Sequence, residues 1–267
     1  MSGALPSRLV THSVDAGIGR VHLNDPQHRN ALSKPLSDQL AAAVTAVLVS
    51  GAAVIVLTAE PPVFCAGGSL ESLIARDVPL VETYAGYRAL LQSPVPTIAA
   101  VAGAAVGAGV NLPLACDVII AAESARFDPR FLDVGIHPGG AHLWRLVQRV
   151  GVQGAAALVL LGDVLTGEEA LAHGLAWRCV PSADLEEVAL ALAARATQRS
   201  APLVRRTKQT LRATLDATSF DEAFALELDA QEWSVDQPEF ADTVRRIQAD
   251  IAARKARAAT TSPRDRT

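Results

Sequence analysis

The sequence predicts an α/β fold with parallel strand pairing, and three observations carry the prediction. Strand-like and helix-like segments alternate through the first two thirds of the 267 residues. Two glycine-rich turns, Phe64-Cys65-Ala66-Gly67-Gly68-Ser69-Leu70 and Ala102-Gly103-Ala104-Ala105-Val106-Gly107-Ala108-Gly109, each follow a short apolar run and open a helix. From about Gly140 onward, apolar residues recur every three or four positions, which is helical spacing.

In chain order, segments 8–14 and 19–23 alternate apolar and polar residues as a hairpin does. Segment 33–49 carries helical periodicity behind Ser33, whose hydroxyl suits an N-cap. Segment 53–58 is a continuous apolar run, as in a strand buried on both faces, and leads into the first glycine turn. Segments 97–101 and 118–121 have the same character. Helices are predicted at 140–149, 151–161, 167–172 and 185–195, with a last short strand at 177–180 before the fourth. Beyond Ser200, segments 201–214, 220–233 and 238–258 predict three amphipathic helices that cannot bury their apolar stripes alone. The expected division is a core domain over 1–199, a helical segment over 200–258, and a disordered tail over 259–267.

Composition narrows the function. Half of the residues are apolar and the formal net charge is −4, so there is no electrostatic footprint for nucleic acid. The Met1 end shows no basic stretch followed by an apolar one, and no run approaches eighteen uninterrupted apolar residues, so a cytoplasmic protein without membrane contact is expected. The three cysteines, Cys65, Cys116 and Cys179, are odd in number and widely spaced, which argues against disulfides and zinc; buried thiols are expected, with a nucleophilic role weighed for Cys65 alone. No metal ligands pair at the right spacing, and neither Gly-x-Gly-x-x-Gly nor Gly-x-Ser-x-Gly is present.

A helix-opening glycine turn leaves main-chain N–H groups without intrahelical partners, and small residues let a ligand oxygen approach them. Two such turns converging on one point make an oxyanion hole. The residues carrying this pattern resemble the crotonase superfamily, the enoyl-CoA hydratase and isomerase proteins. Asp25-Pro26-Gln27-His28-Arg29-Asn30-Ala31-Leu32 is similar to that family's CoA-binding loop, and the two glycine turns to its oxyanion turns. Cys116-Asp117, Ser124-Ala125-Arg126-Phe127, the stretch 135–140, and Leu161-Gly162 through Ala172-His173-Gly174-Leu175 follow the remaining family blocks in order. The resemblance spans about 8–258.

The resemblance implies a crotonase-like spiral of repeated ββα units with a helical C-terminal segment, assembled as a homotrimer or as a hexamer of paired trimers. It implies an acyl-CoA or enoyl-CoA thioester partner in fatty acid metabolism, with coenzyme A entering as part of the substrate and no separate cofactor. The oxyanion donors carry over to the amides of Gly68 and Ala108; Ala108 stands where glycine is usual, but the donor is main-chain. The two catalytic glutamates of hydratases fall at Asn111 and Phe131, and the aspartate of related isomerases and dehalogenases at Gly139. None of the three is an acid here. His137 and a water held by Asn111 become the proton-transfer candidates. His28, Arg29, Ala31, Ala66, Gly67, Gly68, Leu70, Gly107, Phe131 and Lys255 are the expected CoA and substrate contacts.

Bland roles are expected elsewhere. Asp133 accepts hydrogen bonds within its loop, His142 lies at the surface, Asp128 and Glu71 are solvent-exposed or cap helices, and Asp117 anchors the strand after it. Two alternatives remain open: a noncatalytic acyl-CoA carrier that kept the thioester cradle, and another enolate reaction such as decarboxylation.

Overall fold

The computed structural model describes residues 8–76 and 78–260; of the disordered tail expected over 259–267, residues 259 and 260 instead continue the last helix and 261–267 lie outside the described residues. The chain divides after Val204 into two compact units.

The first unit opens with β1 (Val10–Asp15) and β2 (Ile18–Leu23), paired antiparallel as the alternation predicts. Helix α1 (Lys34–Val49) begins where expected, the Ser33 hydroxyl accepting from the Leu36 amide. There follow β3 (Val54–Ala59), α2 (Leu70–Ala75), α3 (Ala85–Leu91), β4 (Thr97–Val101), β5 (Ala104–Val106), α4 (Asn111–Ala115), β6 (Val118–Ala122) and β7 (Arg126–Asp128). After these come α5 (His142–Leu160), β8 (Leu165–Thr166), α6 (Gly167–Ala172), β9 (Arg178–Val180) and α7 (Leu185–Thr197). Helix α5 is broken by non-helical dihedrals at Gly151, which matches the two separate helices read from the sequence.

Six strands form the main sheet in the order β1-β2-β3-β4-β6-β9, parallel from β2 onward. A second layer holds β5, β7 and β8, extended by single bridges between Cys65 and Ala105 and between Leu32 and Gly68. Each spiral turn therefore places one long strand in the main sheet and one short segment in the second layer, then adds a helix: β3, Cys65, α2; β4, β5, α4; β6, β7, α5. This is the crotonase-like ββα spiral. The chain reverses from one layer to the other within a few residues, so the glycine turns sit on the second layer.

Both faces of the main sheet are covered, hence the unbroken apolar runs. Ile55, Leu57, Ala99, Val101, Ile119 and Ala121 face the larger core. Their alternates Val54, Val56, Ile98, Ala100, Ile120 and Ala122 face α7, which answers with Leu185, Ala189 and Ala193 at four-residue spacing. Small residues at two of those three positions let the helix lie close on the sheet.

Helix α8 (Ala201–Ala213) runs across the division, and α9 (Phe220–Val235) and α10 (Pro238–Thr260) belong to the second unit. Within that unit, Arg206 pairs with Asp229 and stacks over the Trp233 ring at 5.7 Å. Among the described residues no helix is long and apolar enough to cross a membrane, and no cluster of three or more metal-ligating side chains forms.

Candidate active site

The two glycine turns cross. Cys65 N–H donates to the Ala104 carbonyl at 3.1 Å and Val106 N–H donates to the Cys65 carbonyl at 2.9 Å, so the turns run side by side. The closeness is absolute: a Cβ on Gly109 would stand 2.3 Å from the Cys65 oxygen, and one on Gly67 would stand 2.6 Å from the Val106 oxygen. Gly67 also needs φ +92°, a value few L-residues adopt. A Cβ at Gly67 would lie 3.5 Å from the Ala108 nitrogen, which fixes the first turn against the amide of the second.

Gly68 and Ala108 line one cavity of about 670 Å³. Gly68 bridges to Leu32 through its neighbours, with Leu32 N–H donating to the Gly67 carbonyl at 2.7 Å and Ser69 N–H to the Leu32 carbonyl at 3.4 Å. The Gly68 amide itself takes no part in that bridge. Ala108 sits near the start of a right-handed 3₁₀ turn (Gly107–Val110), so its amide precedes the first intrahelical donor and its methyl costs no backbone strain.

The loop before α1 is bound to the first turn. Asn30, fully buried at φ +53°, donates from Nδ2 to the Glu60 and Val63 carbonyls and accepts from Asp25 N–H at 2.8 Å. Ala66 N–H donates to the Arg29 carbonyl at 3.0 Å, and Ala31 N–H to the His28 carbonyl. Arg29 lines the cavity and is exposed, while exposed His28 is held by Asp25 through Nδ1 at 2.8 Å. Ala66, Gly67, Leu70, Gly107 and Phe131 line the same cavity. Lys255 lies on α10 in the second unit and is exposed.

Three side chains in and around the cavity bear on chemistry. His137 lines it, and its Nδ1 meets the Pro138 carbonyl at 2.8 Å; a carbonyl only accepts, so Nδ1 carries the proton. His137 therefore does not cap α5, which starts behind Ala141 with no side-chain cap. Asn111 is buried behind the cavity wall. Its Nδ2 donates to the Gly139 carbonyl at 3.1 Å and its Oδ1 accepts from His142 Nδ1–H at 2.7 Å.

His142 corrects an expectation: it is 1% exposed, not at the surface. Its Nε2 is buried with no hydrogen-bond partner among the described residues, and the ring packs edge-on against Phe131 at 4.9 Å. Burial pushes its pKa down to about 4, so the ring is neutral. Nothing in the local sequence marks it, because burial of the first helical residue depends on what packs over it.

Two of the remaining acids are occupied. Asp128, expected at the surface or at a cap, is 7% exposed and paired with Arg130. Asp117, immediately before β6, accepts from Thr97 N–H at 2.7 Å and Thr97 Oγ1–H at 3.0 Å, so it ties the start of β6 to the start of β4. Asp133 and Glu71 are exposed. Desolvation pushes the buried Cys65 thiol up to about 12, which leaves no thiolate to act as a nucleophile. Sequence reasoning missed Tyr84, which closes the cavity from the 3₁₀ turn before α3.

Comparison with known proteins agrees with this architecture. The family described as enoyl-CoA hydratase/isomerase matches residues 13–246. A Mycobacterium tuberculosis (H37Rv) protein named "Probable enoyl-CoA hydratase EchA14" is 41% identical over 240 residues, covering 86% of this chain and 93% of that one. The crystal structure of human enoyl coenzyme A hydratase domain-containing protein 3 superposes with a TM-score of 0.85 at 26% identity, over 91% of this chain and 98% of that one. A structure from Thermobifida fusca YX in complex with CoA gives a TM-score of 0.77 at 28% identity, over 85% and 93% of the two chains. The fold, the crossed turns and the match along nearly the whole chain have one meaning: the protein belongs to the enoyl-CoA hydratase/isomerase family.

Proposed function

We propose that the protein binds an acyl-CoA or enoyl-CoA thioester, with the amides of Gly68 and Ala108 gripping the thioester carbonyl. The observation that carries this reading is the crossing of the two glycine turns: a Cβ at Gly67 would sit 3.5 Å from the Ala108 nitrogen, and both donors line one cavity. Preorganised main-chain donors at a carbonyl that gathers charge contribute on the order of 3 kcal/mol each to the reaction barrier.

Leu70, Leu73, Leu80, Phe131, Val134 and Ile136 line the acyl side, which favours an apolar acyl chain. Arg29 at the cavity edge, with His28, Ala31 and Ala66 beside it, is assigned to the CoA moiety, where a guanidinium suits phosphate. Lys255 is assigned to the nucleotide on the family resemblance alone.

His137 takes the role of proton acceptor from water. With Nδ1–H spent on Pro138, its Nε2 is the free acceptor nitrogen. Asn111 acts through position rather than by proton transfer, since an amide is no practical base and both its ends are bonded. Hydration of a 2-enoyl-CoA by this set is expected to be slow, because neither hydratase glutamate position holds an acid.

The test is direct. Crotonyl-CoA should bind, seen as heat in a calorimetric titration and as a lowered carbonyl stretching frequency in infrared difference spectra. Loss of enoyl absorbance should proceed below about one turnover per second, the low end of enzyme rates. An unshifted carbonyl band in a bound thioester sinks the oxyanion assignment. Fast hydration untouched by His137→Ala sinks the role of His137. The carrier reading is favoured by the non-acidic residues at 111, 131 and 139, and it gains if thioesters bind with a shifted band yet no proton exchange or turnover follows.

A further inference from the structure

We infer that the Tyr84 hydroxyl is the proton donor to the α-carbon of the bound thioester, in the place a carboxylate from position 139 would take. The inference rests on the thioester reading above and adds the group that reading lacks.

Three observations carry it. Tyr84 lines the same cavity as Gly68, Ala108 and His137. Its hydroxyl occupies the space in front of residue 139: a Cβ on Gly139 would stand 2.4 Å from the Tyr84 oxygen, and one on Gly140 would stand 2.7 Å from Cε1 of the ring. A side chain at either glycine and the phenol in this position exclude one another. The Gly139-Gly140 pair is thus the imprint of Tyr84 on the sequence, and the phenol is the polar group that reaches where an acid would project. Finally, the ring is half-buried beside Tyr87 and Tyr84 lines the cavity, so its hydroxyl is the polar end of an otherwise apolar side chain placed where a ligand can meet it. Its neighbour Tyr87 contacts it only edge-on, with ring centroids 6.1 Å apart.

Burial raises the Tyr84 pKa above its ordinary 10, with the nearby Tyr87 adding to the rise, so the group is a phenol at neutral pH and donates. When an enolate forms at the carbonyl held by Gly68 and Ala108, its electron pair closes onto the phenolic proton. The O–H bond breaks, a Cα–H bond forms and the C=O double bond returns. In hydration the phenolate left behind is reprotonated, through cavity water, by the proton that His137 took as hydroxide added to Cβ; His137 and Tyr84 both return to their starting states and the sum is one water added. The same donor serves any reaction that ends by protonating the enolate.

The experiment follows exchange of the α-hydrogens of hexanoyl-CoA for deuterium in D₂O by NMR, with binding measured separately by calorimetry. Wild type should bind and exchange, with a rate that climbs with pH as phenolate accumulates. Tyr84→Phe should bind equally and exchange about a hundredfold more slowly, with no climb. Gly139→Ala should reproduce the loss with the tyrosine intact, since its methyl pushes the flexible phenol tip aside. Exchange within twofold of wild type in either variant overturns the inference, as does wild-type binding without exchange. Absence of hexanoyl-CoA binding by wild type overturns the thioester reading itself, and the Tyr84 role with it.

Discussion

Asn111 and His142 illustrate how an amide can be held at a position where the family resemblance implies an acid. The Asn111 amide satisfies the Gly139 carbonyl on one side and His142 Nδ1–H on the other, so both groups are paired inside the protein. Asn111→Ala leaves both without partners, and each buried orphan costs about 1–3 kcal/mol. The expected loss is about 3 kcal/mol in urea denaturation; a change below 1 kcal/mol contradicts the pairing. Asn111→Glu, which would put a carboxylate where the resemblance implies a hydratase acid, meets an obstacle at the Gly139 carbonyl, because a carboxylate cannot donate to it. The new side chain should instead bind His142 as an ion pair and raise the imidazole pKa well above 4, visible in ring-proton NMR. Any gain in hydratase activity depends on escaping that pair.

His142 also sets a pH dependence. Its folded pKa, about 4, lies below its ordinary 6.5, so between those values the unfolded chain binds a proton that the folded chain refuses. Its destabilising effect is absent above pH 6.5, grows as pH falls towards 4, and reaches roughly 3 kcal/mol there. His142→Gln keeps a donor to Asn111 and does not titrate. Denaturation midpoints taken from pH 7 to pH 4.5 should fall less steeply in this variant than in wild type, and parallel slopes contradict the burial.

The helices and long strands were legible because each carries its own period. Ser33, Gly151 and the run 97–101 mark their elements without help from the rest of the chain. The second layer was not legible: β5, β7 and β8 are two or three residues long, too short for any alternation to show, and exist only because neighbouring spiral turns supply partners. Helix α3 also went unread. The glycines that permit the crossing behave differently from one another. Gly109→Ala drives a methyl into the Cys65 carbonyl and should cost about 3 kcal/mol or prevent folding. At Gly107 there is open space within 4 Å, and only its φ of +51° opposes alanine, so about 1 kcal/mol is expected. Guanidinium denaturation of the two variants, side by side, checks the order; equal costs contradict the crossed-turn geometry.

The molecule as a whole leaves large apolar side chains in water. In the first unit, Trp144, Trp177 and Leu161 are 51%, 67% and 83% exposed, and the second unit exposes Phe220 and Phe224 on α9. The family resemblance implies a trimer or hexamer, and an assembly of that kind would cover exposed apolar side chains such as these. Light scattering coupled to size exclusion should therefore return three or six times the 27.9 kDa chain mass, and a monomer at micromolar concentration contradicts it. Local sequence determined the alternation of strand and helix, the two glycine turns, and the family to which the chain belongs, because period, capping and backbone freedom are properties of neighbouring residues. Only the tertiary structure decided that His142 is buried on Asn111, that Asp128 is paired, and that Tyr84 fills the space before Gly139. The first and third join residues tens of positions apart, and the second depends on the burial of Asp128 beneath its neighbours; burial and contact of this kind are set by how the layers pack rather than by local pattern.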